Sequence, residues 1–456
     1  MNHSSIELHF ANKTDWLFTH FRTFQRDPLR SLERLTRSGG DFVAFKLGTQ
    51  QTYLLNHPEL FKDVLVTHNH KFVKGFGLQR AKRILGEGLL TSEGEFHKRQ
   101  RRLLQPAFHR DHVRSYGAIM INSAAAMRGD WQPHQQVDIA EEMRRLTLTI
   151  VAKALFHADV GAEATDIGQA LTTAIQLFGV SLRPFADLLM RLPLPSTFRF
   201  RKSLARLNAC VYRIIQERRA SGKDYGDLLS MLLHAQEAEG GGAMTDQQVR
   251  DEAITLFLAG HETTANALAW TWYLLGKHPE VQDQLQKEVD RVLGTRLPTV
   301  DDLPSLTYTR LVFAESLRCF PPAWIMARTA IEGHSLLGIR MKPGSYLLMS
   351  PYLMHHDARY YQDPYNFNPE RWSPDKENRQ PPFTYLPFGA GPRICIGESF
   401  AWMEGILVIA TLVQRWRMRL VPGSPVEPEP LITLRPKHGL HMTLEPRIES
   451  PCLTTN

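Results

Sequence analysis

The stretch Phe388-Gly389-Ala390-Gly391-Pro392-Arg393-Ile394-Cys395-Ile396-Gly397 decides how the rest of this chain is read. Its glycines let the backbone turn tightly and approach a ligand closely. The run that follows, Glu398-Ser399-Phe400-Ala401-Trp402-Met403-Glu404, reads as the start of a helix. Amide N–H groups at such a start favour a thiolate over a thiol at Cys395. A lone cysteine is ordinarily a small buried core residue, so its surroundings have to carry any functional reading. The other cysteines, Cys210, Cys319 and Cys452, form no Cys-x-x-Cys pair. That spacing argues against a zinc ribbon, a redox dithiol or a disulfide scaffold. A reducing, cytoplasmic setting is the expectation.

Taken as a pattern, Phe-x-x-Gly-x-Arg-x-Cys-x-Gly resembles the haem-binding loop of the cytochromes P450, with every signature position filled. The resemblance implies haem b (iron protoporphyrin IX) as cofactor and Cys395 as the axial ligand of its iron. It also implies a thiolate that pushes electron density onto the metal and favours O–O cleavage.

Upstream, Thr245-Asp246-Gln247-Gln248 is a capping-box pattern, and apolar and small residues then run to about Gly276 without a proline. A helix of about 30 residues spans about 45 Å, enough to cross a domain. Within it lies Ala259-Gly260-His261-Glu262-Thr263-Thr264. Glycine and paired threonines are poor helix formers. A sequence accepts them where the helix bulges or a ligand comes close, and threonine can bond the carbonyl one turn back. His261-Glu262 opens a His-Glu-x-x-His pattern, but the fifth position is Ala265, so that metal site fails. The segment is similar to the P450 oxygen-activation motif. By that resemblance Thr263 hydrogen-bonds the dioxygen being activated and Glu262 belongs to the proton relay. His261 fills the variable position and receives no role.

Gly94-Glu95-Phe96-His97-Lys98-Arg99-Gln100-Arg101-Arg102 reads by charge alone as a solvated helix face. It resembles the P450 helix whose aromatic-x-x-x-Arg pair binds a haem propionate, with His97 where many members have tryptophan. Imidazole can still donate an N–H. His97, Arg101, Arg328 and Arg393 are the propionate ligands this resemblance implies, since charge-assisted bonds suit carboxylates. Lys98, Arg99 and Arg102 are then left on the cysteine side, as a docking patch for an acidic electron donor. Glu315-Ser316-Leu317-Arg318, read alone, is a surface ion pair on one helix face. With Pro369-Glu370-Arg371-Trp372 downstream it resembles the P450 triad, here Glu315, Arg318 and Arg371, that locks the irregular segment behind the haem.

At 456 residues, 43% hydrophobic and 22% charged, the chain can bury a large core. Length alone favours two or three domains. The resemblance instead implies one mainly α P450 domain with a small β part, residues 30–446, its long central helix crossing over the haem. An N-terminal extension, 1–29, precedes it and a flexible tail, 447–456, follows. Phe42–Gly48 and Gln51–Leu55 read as a hairpin. The net charge of +7 accompanies no nucleic-acid-binding module. No stretch approaches the roughly 18 apolar residues of a transmembrane span. The longest candidate, 405–413, reads as a buried helix.

The implied activity is a monooxygenase that inserts one atom of O2 into a hydrophobic small molecule of terpene, fatty acid or steroid type. Electrons would come from a ferredoxin or flavodoxin with its reductase, because residues 396–456 leave no room for a fused flavin domain. A peroxide-driven peroxygenase and a non-catalytic haem sensor are the alternatives, and neither needs the Glu262–Thr263 pair. The resemblance points to four substrate-facing stretches: Phe76-Gly77-Leu78, Leu177-Phe178, Ala323-Trp324-Ile325-Met326 and Leu431-Ile432-Thr433. They are mostly apolar, and they hold no convincing anchor for a fatty-acid carboxylate.

Overall fold

The computed structural model describes residues 8–10, 24, 26–47, 50–158, 168, 195–237, 244–336, 338–377 and 380–447. Its axis is the helix Asp246–Lys277, 32 residues long. The capping box forms as the sequence reads: Gln248 N donates to Thr245 Oγ1 at 3.2 Å and Thr245 N to Gln248 Oε1 at 2.8 Å. The helix stops at His278, because Pro279 has no N–H to extend it and suits only a first turn. Pro279 accordingly opens the next helix, Pro279–Leu293.

A helix apolar on every side belongs in a core. The long helix packs lengthwise on the helix Ile139–Phe156, and also meets the helices Thr307–Cys319 and Glu398–Val413. Gly405 to Val413 is buried throughout, as its apolar run requires.

The expected hairpin is present as Phe42–Leu47 against Gln50–Leu55, antiparallel. It belongs to a six-stranded sheet in the order Leu8–Phe10, Phe42–Leu47, Gln50–Leu55, Tyr346–Met349, Met326–Ala330, Phe72–Lys74. Leu8–Phe10 pairs in parallel with Phe42–Ala44, so part of the segment read as an extension joins the sheet. A second sheet pairs Trp416–Leu420 with His441–Pro446, and the latter with Gln136–Asp138. Arg447 is tied down, bonding Val413 O at 3.0 Å and Asp290 at 2.5 Å. The tail beyond it lies outside the described residues.

Glu315 and Arg318 are fully buried, where the pair read alone is a surface one. The guanidinium is bidentate on the carboxylate, 2.8 Å for both bonds. Its other contacts reach His355 O at 2.8 Å, Pro364 O at 2.6 Å and Asn366 O at 3.1 Å. Arg371 Nε and Trp372 Nε1 complete the carboxylate at 3.4 and 2.8 Å. The irregular backbone has no ladder for these carbonyls, and the buried ion pair supplies their donors.

Phe76-Gly77-Leu78, read as substrate-facing, begins the helix Phe76–Leu85, with Gly75 at the N-cap. Trp324 is core: its indole donates to Leu431 O at 2.9 Å, in a cluster with Leu29 and Tyr346. Leu177-Phe178 lies outside the described residues.

Candidate active site

Cys395 N donates to Phe388 O at 3.0 Å, closing the loop on itself. Gly391 holds φ +71°, and a Cβ there would stand 2.0 Å from Leu65 O, so only glycine fits. Gly397 caps the helix Glu398–Val413. Its amide pulls the Cys395 thiol pKa down, but burial pushes harder and Glu398 adds to it, leaving the thiol at about 11. This reverses the expectation that the helix start would favour the thiolate: the low-dielectric surroundings win. A metal cation on the sulfur would reverse the balance again, since a coordinating thiol is deprotonated outright. Cys395 sits deep in the fold yet is open on one side.

Arg101 Nη1 donates to Ile394 O at 2.8 Å, tying the helix Gly94–Leu104 to the cysteine loop. Arg393 Nη1 donates to Ser92 O at 2.8 Å, and its other nitrogen pairs with Glu93. Arg328 is held down to about 10 by burial and then by Arg393. His97 is buried and neutral, lowered to about 3 by burial first and then by Arg393, Lys74 and Arg101. All four ligands named from the sequence therefore border one region with the cysteine loop.

Lys74 completes the group and carries no motif that would reveal it. It stands opposite Arg328 in the antiparallel register, which puts the two cations side by side. Its ammonium donates to Leu89 O and Leu90 O, and burial, then Arg393, lower it to about 7. The nearby carboxyl of Glu252 is raised by burial to about 8 and does not supply a full counter-charge at neutral pH. Glu93 is left as the main anion among these cations.

The long helix shows where it is open. From Val249 to Trp272 every residue is buried except Leu258, Ala259, Gly260 and Thr263. Thr263 Oγ1 donates to Ala259 O at 2.6 Å, one turn back. The helix does not bulge. A Cβ on Gly260 would meet Val151 Cγ2 at 2.8 Å, so the glycine serves the close approach of the helix Ile139–Phe156. His261, given no role from the sequence, bridges the same two helices through Thr147 Oγ1 at 3.1 Å. Glu262 is buried and shares no hydrogen bond with Thr263. Its Oε1 accepts from Asn266 Nδ2 at 3.0 Å and from Thr433 Oγ1 at 3.1 Å. Thr433, read as pocket wall, is thus a buried clamp on Glu262, and Asn266 was not foreseen.

The sequence model of the family Cytochrome P450 matches residues 12–442. The chain belongs to the cytochrome P450 family. It is 42% identical to cyclooctatin synthase of Streptomyces melanosporofaciens, over 94% of this chain and 93% of that protein. Cyclooctat-9-en-7-ol 5-monooxygenase of the same organism is 40% identical, over 90% and 89%. Pentalenene oxygenase of Streptomyces avermitilis is 36% identical, over 94% and 95%. This P450 is a haem-thiolate monooxygenase that uses O2 and electrons from redox partners on a hydrophobic small molecule. Among the described residues, no helix is long and apolar enough to cross a membrane.

The side chains fit haem on their own chemistry. A thiol open on one side, a buried cation excess suited to two carboxylates, and one open turn on an otherwise buried helix are what a flat, iron-bearing dianion requires.

Proposed function

We propose that this P450 hydroxylates a terpene-type hydrocarbon, working with haem b in the cytoplasm on electrons from a ferredoxin- or flavodoxin-type donor. The observation that carries the substrate class is the open turn Leu258-Ala259-Gly260-Thr263, small and apolar with a single hydroxyl. Such a wall suits a hydrocarbon skeleton with little polar function. The names of the relatives, cyclooctat-9-en-7-ol and pentalenene, describe cyclic alkene skeletons of that kind.

Bound haem supplies activation of O2 and transfer of one oxygen atom to a C–H bond. Cys395 would hold the iron. His97 would donate a neutral N–H to a propionate, while Arg101, Arg328 and Arg393 would supply its charge complement. The Thr263 hydroxyl has one proton, and it is committed to Ala259 O. Donating to oxygen would mean turning away from that carbonyl. Protons reach the interior through the buried cluster Glu262, Asn266 and Thr433.

The electron donor docks on the groove of about 870 Å³ lined by Lys98, Arg101, Arg102, His109, His112 and Pro392. Arg99, counted with this patch from the sequence, does not line it; one of its guanidinium nitrogens is buried without a hydrogen-bond partner.

Carbon monoxide on the reduced protein should give the red-shifted thiolate band, and Cys395→Ala should abolish it. A histidine-type spectrum in the wild type overturns the ligand assignment. In spin-shift titrations against terpenes, fatty acids and steroids, a terpene should give the largest shift. A response confined to fatty acids or steroids overturns the substrate class.

A further inference from the structure

Asp63, His68 and His334 take no part in the haem pocket or the reaction. Asp63 opens a short π-helical turn, Asp63–Thr67, and His68 closes it by donating its backbone N–H to Asp63 O at 2.8 Å. His334 arrives from a different element, the strand His334–Leu336, paired with Ile339–Met341. The side chains converge. His68 Nδ1 lies 2.9 Å from Asp63 Oδ2, and His334 Nε2 lies 2.8 Å from Asp63 Oδ1. The imidazole centroids are 4.7 Å apart. Among the described residues the carboxylate has no lysine or arginine partner. The His334 side chain is 5% exposed, that of Asp63 25% and that of His68 36%, so the group is anchored inside and open on one side.

The geometry points to a zinc site formed by Asp63, His68 and His334. Two imidazole nitrogens and a carboxylate oxygen are a donor set suited to Zn2+. Tetrahedral zinc, about 2.0–2.1 Å from each nitrogen, needs donors about 3.3 Å apart. The two carboxylate–imidazole separations run to different oxygens of Asp63 and are hydrogen-bond distances, so zinc binding takes a rotation of the carboxylate that turns one oxygen toward both rings and opens each contact by about half an ångström. Each imidazole binds as the neutral ring, with its proton on the nitrogen facing away from the metal. Water fills the fourth position from the open side.

The site also has a structural consequence. The turn that carries Asp63 also carries Leu65, whose carbonyl stands against Gly391 of the cysteine loop. Zinc clips this turn to the hairpin of His334 and braces the floor beneath Cys395.

The test uses the haem-loaded full chain, so that Cys395 is occupied, stripped of free metal by a chelator. Zinc chloride is titrated calorimetrically, and Co2+ in parallel, whose visible bands report a four-coordinate nitrogen–oxygen site. One strong site per chain is expected, with the thermal midpoint rising as zinc is added. Asp63→Asn and His68→Gln should each weaken binding by at least about tenfold. The His68 side chain is 36% exposed, so His68→Gln should fold, and an unchanged carbon monoxide spectrum verifies this. No stoichiometric uptake by the wild type, or variants that bind zinc as tightly as it does, overturns the site.

Discussion

Thr263 is a residue with one proton and two claims on it. In this structure the hydroxyl donates it to Ala259 O at 2.6 Å, while the residue itself is on the open strip of the long helix. Replacing it with alanine removes the only hydroxyl of that strip and leaves the apolar wall in place. Thr263→Ala should consume electrons as before but release them as peroxide, with product falling by about tenfold or more, at the low end of what a positioned proton donor contributes. Thr263→Ser should restore most of the coupling. A sensor would show no coupling to lose, and a peroxygenase would keep its peroxide-driven rate. Glu404 poses the opposite case, a carboxyl with no use for its charge. It is buried on the helix Glu398–Val413 with no cation to pair with among the described residues, and burial raises its pKa well above the usual carboxyl value, the Thr264 hydroxyl pulling the other way. Because the folded value is raised, the neutral acid's contribution is fully present below about pH 4.5, the unfolded value, and is lost as pH climbs toward the folded one. The slope in that window is up to about 1.4 kcal/mol per pH unit. Glu404→Gln should therefore flatten the fall in unfolding free energy as pH rises above about 4.5. Equal slopes in the two proteins would mean the carboxyl is not held neutral.

At the scale of elements, what the sequence shows is local chemistry and what it hides is which neighbour presses on it. The capping box at Thr245 and the restart at Pro279 are written in adjacent residues, and both stand where they read. Gly260 was legible as an anomaly in a helix, but not its cause, because Val151 is more than a hundred residues away in the chain. The Gly260–Val151 contact can be measured. Gly260→Ala gains up to about 1 kcal/mol of helix propensity and loses about 1–3 kcal/mol to overpacking, so it should destabilise. Val151→Ala destabilises by itself, since Val151 is fully buried. In the double variant the two effects should offset each other, with a coupling of about 0.5–3 kcal/mol in urea unfolding. Strict additivity would show that the helices do not touch through this pair.

Across the whole molecule, the candidate site was legible wherever motif residues fall within a few positions of one another. Phe388 to Gly397, His97 with Arg101, and Glu315 with Arg318 are of this kind. Lys74 was not, because it reaches Arg328 only through sheet register, and Thr433 meets Glu262 only once the C-terminal turn is folded back; Asn266, one helical turn on from Glu262, was within reach of the sequence but carries no motif. Surface charge obeys the same rule. The basic run from Lys98 to Arg114 looks uniform in the sequence, yet the fold spends part of it. Lys98 pairs with Glu95 at 2.6 Å and Arg114 with Asp301 at 2.6 Å. Arg102, exposed at the groove, has no carboxylate partner among the described residues and is the cation free to meet an acidic donor. Arg102→Glu should then slow reduction by a ferredoxin or flavodoxin more than Lys98→Glu does, while the carbon monoxide spectrum of both stays that of the wild type. Raising salt from 0.1 to 1 M shortens screening from about 10 Å to about 3 Å. The wild-type reduction rate should fall steeply over that range and the Arg102→Glu rate much less, because long-range attraction is what the variant has already lost. If both proteins respond to salt alike, electrons enter at some other face.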